Sequence, residues 1–375
     1  MDERATGTET REAVDACRQA LPAEFDGGDL AFGFDGIVDN VRVMVETRHS
    51  PSAFDRLETL AALRDRVNES LAAESSLTVE WEQEGTRTGG HACHLARTFD
   101  ELGAATTMVG TYGEPPTEPF TTEFADSTLV SVGEPGYCDA VEFDDGKLLL
   151  VESGDAAGLD WPTLCDRLDP DELATYLDGT DVFGVGYWAV TSALPSLVAS
   201  VVAETWERQA SPPDILFFDP GDIRSLPAKT LREGATRLAE ANETVPVTVS
   251  ANRFETEALA STLADEEGDC LADAAETALD ALGVDRFVCH SASRSVTVSE
   301  TGTAIVEVPR TDSPAMTTSA GDHFNAGYLV GDLAGLSDAA CTVLGNASAG
   351  RFVRTGSTPT YGGIREFVDG YLDRF

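Results

Sequence analysis

The chain has 375 residues, 42% of them hydrophobic, and carries 66 acidic against 25 basic side chains for a formal net charge of −41. That length suits one large α/β domain with a substantial core, and the lack of any basic stripe argues against nucleic acid or anionic membrane as partners. At molar salt the screening length falls to about 3 Å and self-repulsion largely disappears, so carboxylates spread along the whole chain read as adaptation to a salt-rich, halophilic cytosol.

The seven cysteines, at 17, 93, 138, 165, 270, 289 and 341, form no CxxC pair. They read as buried thiols of a reducing compartment. Polar sequence follows Met1-Asp2-Glu3-Arg4 and no long apolar span occurs, so the expectation is a soluble, cytoplasmic protein. Residues 1–28 form an acidic leader in which Val14, Cys17 and Leu21 share one helical face. Leu30 to Asp39 read as a buried strand entering a Gly-containing turn; Gly33 and Gly36 lack the GxGxxG spacing of a dinucleotide site. Between 52 and 73, Phe54, Leu57, Leu60, Leu63, Val67 and Leu71 trace an amphipathic helix, and Leu77, Val79 and Trp81 then alternate as a strand. His91 and His94 follow a Gly89-Gly90 pair, without the further ligands a zinc site requires.

Ala104 to Gly110 is a short strand, and Cys138 to Phe143 with Leu148 to Glu152 form a hairpin whose Asp144-Asp145-Gly146 turn supplies positive φ through Asp-Gly. Strands then alternate with helices: 181–186 before 192–207, 215–218 before 225–241, and 245–249 before 255–265. Apolar strands alternating with helices predict an α/β fold, with a mainly parallel central sheet covered by helices on both faces.

Thr317 to Gly327 stands out chemically. Two hydroxyl residues, a run of small residues and Asp322 lie where a loop passes into a helix, with Phe324, Tyr328 and Leu329 at helical spacing. Small residues and a helix N-terminus make an anion site, and Asp322 on the first turn is expected to stay ionised and accept a proton. The plainer reading is a capped helix with an acidic first turn.

Ser319-Ala320-Gly321-Asp322, continued by Phe324 and Ala326-Gly327, resembles the GAGD end of the DTTGAGD signature of ribokinase-like (PfkB) carbohydrate kinases. Gly89-Gly90 to Ala96, running on to Leu102-Gly103, resembles their other signature, and the likeness covers about residues 29–373. It implies a ribokinase-like kinase domain over 29–375, with a small β lid drawn from about 39–88 and 134–153 and a leader helix before it. It further implies ATP-dependent phosphorylation of a sugar hydroxyl at the Ser319-Ala320-Gly321-Asp322 turn, with Asp322 as base and the N–H groups of Ala320, Gly321 and Asp322 stabilising the transferred phosphoryl.

The same resemblance distributes the other roles. Asp39, with Asp35 as rival, would hold sugar hydroxyls beside Gly89 and Gly90, and His94 stands where many relatives have a sugar-binding Asn, with ligand and core histidine as its two readings. Asp219-Pro220-Gly221-Asp222-Ile223-Arg224 resembles the D-P-N-x-R segment, and Asn252 with Glu255 matches the N-x-x-E motif that helps hold Mg²⁺ through water; the pair also reads as a capping box. Ala292 and Ser295 replace two glycines of a nucleotide-side turn, while Asn346, Gly350 and Gly356 match the segments flanking adenine. Met316 replaces the signature's leading Asp, and a thioether supplies no charge for a monovalent cation. The implied acceptor is a ketohexose such as fructose or a 2-keto-3-deoxy sugar acid. A nucleoside kinase on the same fold and a non-catalytic sugar or nucleotide sensor remain as alternatives, and a homodimer through the lid is the expected assembly.

Overall fold

The computed structural model describes residues 7–264 and 270–375. Helix α1 (Thr8–Ala20) precedes strand β1 (Asp29–Phe34) and a long, bent β2 (Ile37–Ser50). Next come β3 (Ala53–Arg56), α2 (Leu60–Ala72), β4 (Glu80–Gly89), α3 (His91–Glu101), β5 (Ala105–Gly110), α4 (Glu118–Glu123), β6 (Thr128–Ser131), β7 (Gly136–Phe143) and β8 (Gly146–Glu152). The remaining helices and strands alternate: α5 (Trp161–Cys165), α6 (Pro170–Leu177), β9 (Val182–Gly186), α7 (Leu194–Thr205), β10 (Ile215–Asp219), α8 (Ala228–Asn242), β11 (Val247–Asn252), α9 (Arg253–Ala264), α10 (Leu271–Leu282) and β12 (Arg286–His290). The chain ends with β13 (Arg294–Ser299), β14 (Gly302–Glu307), α11 (Ala320–Leu333), α12 (Asp338–Thr355) and α13 (Tyr361–Asp369).

Two sheets result. The larger has nine strands in the order β14-β13-β12-β11-β10-β9-β1-β5-β6, parallel from β6 to β12 and antiparallel only through the β13 and β14 ladders. Its central strands are buried along almost their whole length, as the apolar runs in β1, β9, β10 and β11 require when helices cover both faces. One face packs against α7, α8 and α10, the other against α1, α3, α11 and α12. Val14 and Cys17 of α1 are fully buried in that second core, so the first helix packs directly on the body.

The smaller sheet runs β3-β2-β7-β8, with β4 also paired to β2, and covers a compact core of Met44, Leu57, Val141 and Phe143. The continuous helix expected over 52–73 is interrupted here. Phe54 lies on β3 and Leu57 in the core of this smaller sheet, and α2 begins only after Thr59, whose hydroxyl accepts from Ala62 N at 3.0 Å. The strand expected from Leu77 starts at Glu80, carrying Trp81 but neither Leu77 nor Val79. The 138–152 hairpin forms, but its turn is Asp144-Asp145, with Gly146 already paired to Phe143. Asp145 caps α2 instead, accepting from Leu60 N at 2.6 Å. The cysteines are not uniformly buried: Cys270 is exposed and Cys165 half-buried.

Candidate active site

The carboxyl ends of β1, β9, β10 and β11 point at one edge of the large sheet, where open α/β sheets bind ligands. Several of the polar residues gathered there are carboxylates. Asp35, just past β1, is fully buried and accepts from His91 N at 2.8 Å and Ala92 N at 3.0 Å, the first two amides of α3. Burial lifts its carboxyl to about 7 against those hydrogen bonds. Asp39, on β2, is pushed up by burial and pulled back by Arg87, 3.8 Å away.

The Gly89-Gly90 pair has a steric reason. A Cβ on Gly89 would lie 2.7 Å from Asp39 Oδ2, and one on Gly90 would lie 2.7 Å from Asp35 Oδ2. Gly90 also has φ of 95°, which side chains rarely adopt. Two adjacent glycines therefore let two acidic side chains, from the end of β1 and the start of β2, close on the N-terminus of α3.

Asp322 sits on the first turn of α11, 5% exposed. The residue before the helix, Ser319, holds φ of 67°, left-handed for a residue with a side chain. His323 pins this turn: its Nδ1–H donates to Ser319 O at 2.8 Å while its ring stacks on Phe352 at 3.7 Å. Gly321 and Asp322 present helix-start amides, which have no acceptor within the helix. Ala320 differs from the expectation, because its N–H already donates to Thr317 O at 3.2 Å. Burial raises the Asp322 carboxyl above its usual value, opposed by His91 and by the Tyr187 hydroxyl, which donates to Oδ1 at 2.6 Å.

His94 joins α3 to this turn, its ring 3.4 to 3.5 Å from Ser319 Oγ. Arg97 Nη1 donates to His94 Nδ1 at 3.0 Å, and burial with that neighbouring charge keeps the ring neutral. Arg97 itself pairs with Glu123 and donates to the Thr88 carbonyl.

On the other side of the turn lies an open cavity of about 780 Å³. Ala320 and Gly321 form one wall and Asn252, Ala292, Asn346 and Gly350 others. Among the described residues, its lining includes Arg253, Arg310 and Arg354 and no carboxylate, in a chain with 66 acidic residues. Such a wall suits a polyanion, and the apolar patch of Val308, Pro309, Phe324 and Val353 suits a flat heterocycle. Three expected nucleotide or metal residues lie off this lining. Ser295 is fully buried and donates to Asn346 Oδ1 at 2.7 Å, Gly356 ends α12 in a left-handed cap, and Glu255 closes a capping box with Asn252.

Residues 6–371 match the family described as prokaryotic ketohexokinase. The chain belongs to that family. It is 47% identical over 366 residues to a ketohexokinase of Haloferax volcanii, covering 98% of this chain and 97% of that one. Two solved structures share the fold at low identity: a ribokinase of Thermotoga maritima (TM-score 0.62, 16% identical, 91% of this chain and 99% of the other) and an Arabidopsis thaliana ribokinase complexed with ribose and ATP (0.59, 14%, 92% and 99%). The protein is therefore a carbohydrate kinase of the ketohexokinase family on a ribokinase-like fold, and the α/β class read from the sequence holds.

Sequence reading missed several members of the site. Tyr187 belongs to no quoted motif, Arg97 and His323 sit inside motifs at positions given no role, and His91 was weighed only as a zinc ligand. Asp219 was visible in its D-P segment, but not its link through Asn325 Nδ2, at 2.7 Å, to Ser250. Among the described residues no helix is long and apolar enough to cross a membrane.

Proposed function

We propose that the protein transfers the γ-phosphoryl group of ATP to a hydroxyl of a ketohexose such as fructose. The observation that carries this reading is the placement of Asp322 on the α11 turn, between the carboxylates at Gly89-Gly90 and the arginine-lined cavity. The sugar is held by Asp39, beside the Gly pair, and by His94; Asp35, occupied by two α3 amides, orients that helix end. Each carboxylate oxygen can accept from a sugar hydroxyl. Asp322 accepts the proton of the attacking hydroxyl, and the Gly321 and Asp322 amides stabilise charge on the transferred group. The lid sheet closes over the sugar and keeps water from taking the phosphoryl group.

The donor set fits a Mg²⁺ that reaches the protein mainly through water. Asp219 and Glu255 are buried carboxylates that burial pushes above their ordinary range, with Glu255 adding repulsion at Asp219 and itself brought to about 7. A hard cation near them relieves that repulsion, and when bound with ATP it neutralises charge on the phosphates. Asn252, which meets both the cavity and Glu255, is placed to orient its water shell.

The test is ADP release with Mg²⁺-ATP across ketohexoses, aldoses, 2-keto-3-deoxy sugar acids and nucleosides at molar KCl. Fructose or another ketohexose is the expected acceptor. Turnover confined to nucleosides or sugar acids replaces the assigned substrate, and ligand binding with no ADP formed makes the protein a sensor.

A further inference from the structure

We propose that Tyr187 is a positioning residue for the base: its hydroxyl holds Asp322 Oδ1 and leaves Oδ2 to take the proton from the sugar hydroxyl. This rests on the assignment of Asp322 as base. The contact, at 2.6 Å, is short for a hydroxyl donating to a carboxylate and joins the end of β9 to the first turn of α11 across 135 residues of sequence.

The tyrosine is fixed from several sides. Its carbonyl accepts from Val190 N at 3.0 Å and Thr191 N at 3.1 Å, and Ala189 N donates to Pro220 O at 3.0 Å. Its ring lies against Gly221, where an added Cβ would fall 3.0 Å from the ring and 2.7 Å from the tyrosine Cβ. The His91 ring meets it edge to face at 5.5 Å. A ring clamped in this way aims its hydroxyl with little freedom, and the carboxylate it holds inherits that orientation.

The surrounding charges keep the phenol a donor. Burial, together with the negative charges of Asp322, Asp219 and Asp35, pushes its ionisation well above the ordinary value, so it keeps its proton. Asp322 faces His91, His323 and Arg97 besides Tyr187. Burial keeps His91 neutral down to about pH 4, and among the described residues neither of its ring nitrogens has a hydrogen-bond partner, so His91 does not replace Tyr187 as a donor. Tyr187 thus makes the side-chain hydrogen bond that Asp322 receives, and that bond favours its ionised, proton-accepting form.

The experiment compares the parent, Tyr187→Phe and Asp322→Asn with Mg²⁺-ATP and fructose at molar KCl, across a pH series. Tyr187→Phe is expected to lose about ten- to a hundredfold in kcat, with KM for fructose within about twofold. Its acid limb should move to higher pH, because the lost hydrogen bond had favoured the carboxylate. An unchanged kcat and acid limb, or a loss confined to KM, overturns the proposal. Asp322→Asn at parental turnover overturns the base assignment itself, a separate outcome. If Tyr187→Phe does not fold, 3-fluorotyrosine at position 187 provides a more acidic donor: the acid limb should move to lower pH, and an unmoved limb overturns the proposal.

Discussion

At the scale of single residues, the site is built from carboxylates that glycines and a tyrosine allow to approach. Gly90→Ala puts a methyl 2.7 Å from Asp35 Oδ2 at a φ of 95°. It should cost about 1–3 kcal/mol of stability and most of the activity, read from melting curves and turnover. The pH dependence follows from Asp322. Burial raises its pKa, so at low pH the carboxyl holds its own proton and cannot take one from the sugar. Activity should therefore rise with pH along a limb centred above 3.8, the ordinary aspartate value, and an acid limb at or below that value would contradict the buried geometry. The Gly pair was legible because backbone with no room for a Cβ demands glycine, and Asp322, the proposed base, because a carboxylate at a helix start within the Ser319 to Gly327 motif carries the resemblance. Tyr187 was not, since a tyrosine after an apolar strand reads as core and its partner lies 135 residues away.

At the scale of elements, strand–helix alternation after residue 180 was readable because parallel strands buried on both faces are apolar throughout. The lid was harder. Its strands expose one or both faces, so periodicity is diluted, and 52–73 read as one helix because Phe54 and Leu57 happen to fall at helical spacing with Leu60. Ser295 shows the same limit at shorter range: it is fully buried behind Asn346, which lines the cavity, and donates to Asn346 Oδ1, so it meets the cavity only through that neighbour. The lid edge carries a prediction of its own. On β8, Leu149, Leu150 and Val151 are 56%, 47% and 57% exposed, and Trp81 and Tyr137 are also exposed on the same sheet. Our proposed assembly is a homodimer through this sheet, which covers that surface. Light scattering at molar KCl should give twice the chain mass, and Leu149→Glu with Val151→Glu should give the monomer. A parental chain that is monomeric at micromolar concentration removes the lid as an interface.

At the scale of the whole molecule, a charge of −41 sets the conditions under which the fold is stable. Exposed carboxylates spread over the surface repel one another, and the resolved ion pairs, mostly between exposed partners, offset little of it. The melting temperature should therefore rise steeply between about 0.1 M and molar KCl as the screening length shortens, and a flat response would remove salt adaptation from the account. Within that acidic shell, the cavity beside Gly321 is lined, among the described residues, with arginines and no carboxylate, which is how a strongly negative protein can still bind a polyanion. The most direct measurement is phosphoryl transfer from Mg²⁺-ATP to fructose by the parent and by Asp322→Asn, both shown to be folded in molar KCl. The parent should form a fructose phosphate and ADP in equal amounts, and the variant should be slower by at least about 10²-fold. A folded variant with parental turnover, or a parent that leaves fructose untouched, would contradict the proposed function.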